Sequence, residues 1–113
     1  MKNHSELILR NQSDFNRVYS RGKSTGSKFV VVLFKSNNLD YSRTAFVASK
    51  KVGNSVCRNR ARRLMKEAYW SIQTKFVRGY DIVFVARAGI TETTEKEVEK
   101  SMFGAVRAAG LLN

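Results

Sequence analysis

The chain has no proline, one cysteine and one histidine among 113 residues, and nine acidic residues against 21 basic ones. Each shortage excludes something. A lone Cys57 cannot form an intrachain disulfide or a cysteine-based zinc site. With His4 as the only histidine, neither a histidine general base nor a histidine metal centre is expected. Its acids are scattered or gathered in the last predicted helix, so a stand-alone metallonuclease lacks the clustered carboxylates it needs. No apolar run approaches the ~20 residues of a membrane span, and the start of the chain lacks a signal-peptide core. The expectation is therefore an intracellular, reducing location, the cytoplasm, with no membrane partner, no disulfide partner, no protein-held metal and no catalytic side chain.

What is present supports a folded domain. Apolar residues make up 42% of the chain and twelve are aromatic. A chain of this size buries ~65% of its unfolded surface, enough for one core. Residues 1–113 are read as a single domain. A formal net charge of +12 repels itself, and a polyanionic partner relieves that repulsion.

The charge is concentrated. Lys50, Lys51, Arg58, Arg60, Arg62, Arg63 and Lys66 supply seven of the 21 basic residues, and no Asp or Glu occurs between Tyr41 and Lys66. Apolar residues punctuate this segment at helical spacing. With ~100° per residue, Cys57, Ala61, Leu64, Met65, Ala68 and Ile72 form one stripe that should pack on a sheet. Arg58, Arg62 and Lys66 run along one flank, and Arg60 and Arg63 lie further round, with Asn59 between. Like charges at i, i+4 weaken an isolated helix, so something outside the chain offsets them. Arginine outnumbers lysine from Arg58 to Lys66, and its planar fork grips phosphate bidentately. Tyr69 and Trp70 fall off the stripe; Trp70 reads as cover for the helix end more readily than as a base-stacking ring. Lys50 and Lys51 precede the helix start, where Asn54 or Ser55 caps and backbone N–H groups suit an anion.

Around this helix the pattern gives the order αββαβα. A first helix spans Asn11 to Gly22, capped by Asn11 or Ser13 and stopped at Gly22. Phe29–Phe34 and Arg43–Ser49 read as two strands, paired antiparallel because their connection is short; Lys23–Lys28 is able to lengthen the first. The basic helix runs to about Thr74, and Tyr80–Ala86 is a third strand. A last helix spans Thr91–Ala109, with Thr94 and Glu97 at capping-box spacing. The whole reads as helices packed on a three- or four-stranded sheet.

The segment SKKVGNSVCRNRARRLMKEAY closely resembles the signature of the bacterial ribonuclease P protein subunit family. The matching residues are Ser49, Lys50, Lys51, Gly53, Asn54, Arg58, Asn59, Arg60, Arg62, Arg63 and Leu64. A second block, Asp14-Phe15, Val18-Tyr19 and Gly22-Lys23, resembles the first helix of that family. The resemblance implies an α/β (α+β) two-layer sandwich with a small mixed sheet, like the second domain of a ribosomal small-subunit protein. It also implies a left-handed βαβ crossover containing the basic helix, against the ~98% right-handed rule. It implies a protein subunit that does no chemistry itself, while a catalytic RNA with bound Mg²⁺ removes the 5′ leader of precursor tRNA. Lys50, Lys51, Asn54, Arg58, Asn59, Arg60, Arg62, Arg63 and Lys66 would face that RNA. Phe15 and Tyr19, which on spacing alone read as core, would stack on the single-stranded leader in a cleft between first helix and sheet, with Phe34 as the strand aromatic. Charge and fold alone also permit a general RNA-binding or ribosomal protein.

Overall fold

The computed structural model describes residues 8–112; His4 lies outside the described residues. The elements are α1 (Gln12–Arg21), β1 (Lys23–Gly26), β2 (Val30–Ser36), β3 (Arg43–Val47), α2 (Ser55–Ile72), β4 (Tyr80–Ala86) and α3 (Glu95–Ala108), with 3₁₀ turns at Gln73–Lys75 and Ile90–Glu92. The segment Lys23–Lys28 does not lengthen the following strand. It forms a separate edge strand, β1, because Ser27 turns the chain by donating its N–H to Val30 O at 2.9 Å.

The sheet order is β1-β2-β4-β3. This corrects the expected pairing of the two strands around the Ser36–Tyr41 turn. β2 and β3 never meet, because β4 inserts between them, antiparallel to β2 and parallel to β3. β4 is buried on both faces, with Asp81, Ile82, Val83 and Phe84 all buried, so its central place maximises apolar burial. The short turn joins strands two positions apart, with β4 between them.

Alternation along the strands separates two cores. Val30, Val32, Phe34, Ile82 and Phe84 face α2 and α3 in the main core. Leu33, Val83, Ala45 and Val85 face the other way, toward Val18 and Phe15 of α1. Sheet, α2 and α3 thus make the two-layer sandwich, and α1 lies across part of the opposite face.

The βαβ unit β3-α2-β4 joins adjacent parallel strands, and hydrogen bonds set its hand. Arg87 N–H donates to Phe29 O and Asn37 N–H to Gly79 O, so the odd-numbered residues of β2 bond to β4. Leu33 is odd-numbered and faces α1. In an L-residue strand pointing up, a side chain aimed at the viewer goes with N–H and C=O aimed to the viewer's right. Seen from the α1 face, β4 therefore lies right of β2 and β3 right of β4, both pointing down. With α2 behind, the step from β3 back to β4 winds left-handed.

Gly22 stops α1 for a reason other than a left-handed cap. Its φ is −79°, an ordinary extended value. A Cβ there would sit 2.4 Å from Val18 O and 2.7 Å from Phe34 O. The absent side chain lets the end of α1 press onto β2.

Candidate nucleic-acid interface

Before α2 the chain makes a turn that only glycine fits. Gly53 has φ +143°, and a Cβ there would meet Cys57 Cβ at 2.9 Å. The next residue, Asn54, is the cap: its Oδ1 accepts the N–H of Cys57 at 3.0 Å. Of the two caps open on the sequence, the helix uses Asn54, and its side-chain oxygen is therefore engaged structurally. Lys50 and Lys51 stand exposed on the approach to this turn.

Along α2, Ala61, Leu64, Met65, Ala68 and Ile72 are buried as the stripe requires, and Cys57 is half-buried. Tyr69 is a correction. It lies off the stripe by angle, yet is only 8% exposed. Partners meet it there from β3, β4 and the turn after α2: Tyr69 packs on Phe46, Phe84 and Phe76 with centroids 5.8, 5.7 and 5.2 Å away. Burial in this cluster pushes its phenol pKa up.

The basic side chains occupy the remainder of the helix. Arg60, Arg63, Lys66 and Asn59 are exposed; Arg58 and Arg62 are half-buried. Arg58 Nη1 donates to Gly53 O at 3.1 Å, fastening the turn, and Arg62 donates to Asn59 Oδ1. Among the described residues, every ion pair uses Arg17 or Arg43: Arg17–Asp14, Arg43–Asp14 and Arg43–Asp81. Among the described residues, no carboxylate pairs with the cations of α2 or its approach. Their charge faces outward, where a phosphate chain releases counterions on contact.

On the other face of the sheet, α1 runs over the rows Lys35–Asp81–Arg43 and Leu33–Val83–Ala45, and the row Val31–Val85–Val47 is left partly open. Asp14 turns toward Arg43, so the helix flank carrying Phe15 and Tyr19 turns toward the open row. Phe15 is half-buried against Val83 and Leu9; Tyr19 is 53% exposed, and partial burial raises its phenol pKa. Beside them Val31, Val85 and Val47 are partly buried, giving an apolar surface on this face of the sheet. Phe34 does not line it. Even-numbered in β2, it points into the α2/α3 core, 9% exposed and edge-on to Tyr80 at 6.3 Å. Val31 and Leu33 are the β2 residues on the α1 face; the uninterrupted apolar run of β2 concealed which residues alternate toward α1.

No three His, Cys, Asp or Glu side chains cluster among the described residues in a way that could hold a metal ion. No described helix is long and apolar enough to cross a membrane.

Fold and surface together define a class: a small α+β domain, wound left-handed, that presents a cationic helix with no carboxylate partner among the described residues, beside an apolar cleft. The family model for ribonuclease P matches residues 3–110. The ribonuclease P protein component of Alkaliphilus metalliredigens is 42% identical over 105 residues, covering 93% of this chain and 95% of that one. Its counterpart in Clostridioides difficile is 46% identical over 100 residues, 88% of each. The solved ribonuclease P protein of Staphylococcus aureus superposes with a TM-score of 0.84 at 27% identity, covering 95% of this chain and 98% of that one. The chain belongs to the ribonuclease P protein family.

Proposed function

We propose that this protein subunit serves the endoribonuclease that removes 5′ leaders from precursor tRNA. It grips the catalytic RNA through α2 and the Lys50–Asn54 approach. The single-stranded leader lies in the cleft between α1 and the row Val31–Val85–Val47. The cleavage chemistry and the Mg²⁺ that serves it belong to the RNA, since the carboxylates near the cleft, Asp14 and Asp81, are bound to arginine. One observation carries the reading: Lys50, Lys51, Arg58, Arg60, Arg62, Arg63 and Lys66 are clustered and unpaired with any carboxylate among the described residues. A surface of that kind costs the isolated fold stability through self-repulsion and repays it only on a polyanion.

Reconstitution with a cognate catalytic RNA tests this. Cleavage of precursor tRNA at low Mg²⁺ should require both components, and their binding should weaken steeply with salt. If the protein leaves the activity of that RNA unchanged, the reading is wrong.

A further inference from the structure

Where β3 forms the sheet edge, a second cleft of about 330 Å³ opens between the C-terminal half of α2 and the segment before α1. It shares Phe15 with the face of the sheet that α1 covers. Its walls are apolar: Phe15 and Leu9 on one side, Phe46 and the buried Tyr69 at the back, and Trp70, 49% exposed, on the other. Its rim is cationic: Arg62 and Lys66 line it too. Arg62, Lys66 and Trp70 stand at successive i+4 steps of one helix flank, so the phosphate-binding row of α2 leads directly onto an aromatic ring. Neither cation has a carboxylate partner among the described residues.

The edge of β3 adds a polar feature. Thr44 O already accepts the N–H of Leu9 at 2.8 Å across this edge. Two residues on, Phe46 directs its own N–H and C=O the same way, with no backbone partner among the described residues. A donor and an acceptor side by side above an apolar floor suit the edge of a flat heteroaromatic ring. The volume is at the small end for a ligand site; it holds one nucleoside and excludes a helix or a peptide strand.

We infer that this cleft takes one unpaired nucleotide of the catalytic RNA, its base against Trp70 and its phosphates on Arg62 and Lys66. The inference rests on the proposed binding of that RNA by α2. The RNA is favoured over the leader because Arg62, Lys66 and Trp70 make the cleft a continuation of the α2 ridge.

Trp70 is the only tryptophan, so its emission reports on this cleft alone. Titrating the whole protein with cognate catalytic RNA should quench it at a one-to-one ratio, and a leader oligonucleotide should not. Trp70→Ala should weaken RNA binding about tenfold, the scale of one base–aromatic stack, with the salt dependence and melting temperature unchanged. Lys66→Ala should instead lower the salt slope by about the amount due to one phosphate. Full-strength RNA binding with silent Trp70 emission, or an unaffected Trp70→Ala variant, overturns the inference and leaves the proposed function standing. Quenching by the leader oligonucleotide overturns the choice of RNA. Absence of RNA binding by the unaltered protein overturns both readings.

Discussion

Arg43 of β3 and Asp81 of β4 sit opposite one another in parallel register and share two hydrogen bonds of 2.8 Å, Nε to Oδ1 and Nη2 to Oδ2. The same guanidinium reaches Asp14 of α1 at 3.1 Å, and Asn37 Nδ2 donates to Asp81 Oδ1 at 3.0 Å. One arginine thus pairs with two acids and ties α1 to the sheet. The bond to Asp81, which stabilises the charged guanidinium, raises the Arg43 pKa further above its ordinary value. Asp81 is 1% exposed, so removing its partner strands a buried charge. Arg43→Ala should destabilise by about 3 kcal/mol, read from the midpoint of urea unfolding. A loss below about 1 kcal/mol would mean the triad contributes little.

Much of this fold was legible in the sequence, and the rest was hidden for physical reasons. Strong periodicity located α2, β4 and α3, and the side chains of Asn11, Asn54 and Thr94 each accept a backbone N–H as caps. Strand order was not legible, because inserting β4 between β2 and β3 depends on contacts between segments far apart in sequence, which local spacing does not encode. The cationic ridge could be read directly, since exposed charge needs no partner to be recognised. Phe34 and Tyr69 were misplaced for a common reason: their burial is decided by which face the neighbouring strands present.

Gly22 makes a test of close packing. Its φ suits any residue, so Gly22→Ala carries no backbone strain, and only the approaches to Val18 O and Phe34 O at 2.4 and 2.7 Å oppose the new methyl. Overpacking of this kind costs about 1–3 kcal/mol. The variant should lose stability by that amount in chemical denaturation, and its α1 amides should exchange faster. Unchanged exchange across α1 would show that the helix end has room to shift.

Arg60 and Arg63 are the cleanest probes of the ridge, being exposed and without a hydrogen bond that fastens the turn before α2. Replacing both with Ala should leave the melting temperature within a degree or two. The slope of log affinity against log salt for catalytic RNA should fall by roughly 0.9 for each phosphate no longer neutralised. Arg58→Ala should differ by also loosening the Gly53 turn. If the double variant binds with an unchanged slope, these side chains do not touch phosphate.

Tyr69 gives the fold an alkaline limit. Burial raises its pKa above the ordinary value of 10.0, so the folded state keeps the phenol proton where the unfolded chain releases it. The associated stability is complete below the unfolded pKa and is lost as pH rises from about 10 through the folded pKa. The difference in unfolding free energy between wild type and Tyr69→Phe should be flat up to about pH 9 and shift in favour of the variant above pH 10. Taking the difference cancels the lysines, which titrate in the same range. A difference independent of pH would place the hydroxyl in water.

Phe15 and Tyr19 separate packing from leader binding. Both occupy the α1 flank that turns toward the open row, but Phe15 is half-buried against Val83 while Tyr19 is mostly exposed. Tyr19→Ala should therefore cost the fold little, whereas Phe15→Ala should cost about 1–2 kcal/mol by returning apolar surface to water. If both rings stack on unpaired bases, each variant should raise KM for leader-bearing precursor tRNA by tenfold or more. Substrates with a leader of one nucleotide should be cleaved as by the unaltered holoenzyme, since they present no bases to the cleft. Equal effects on long and minimal leaders would remove the stacking role.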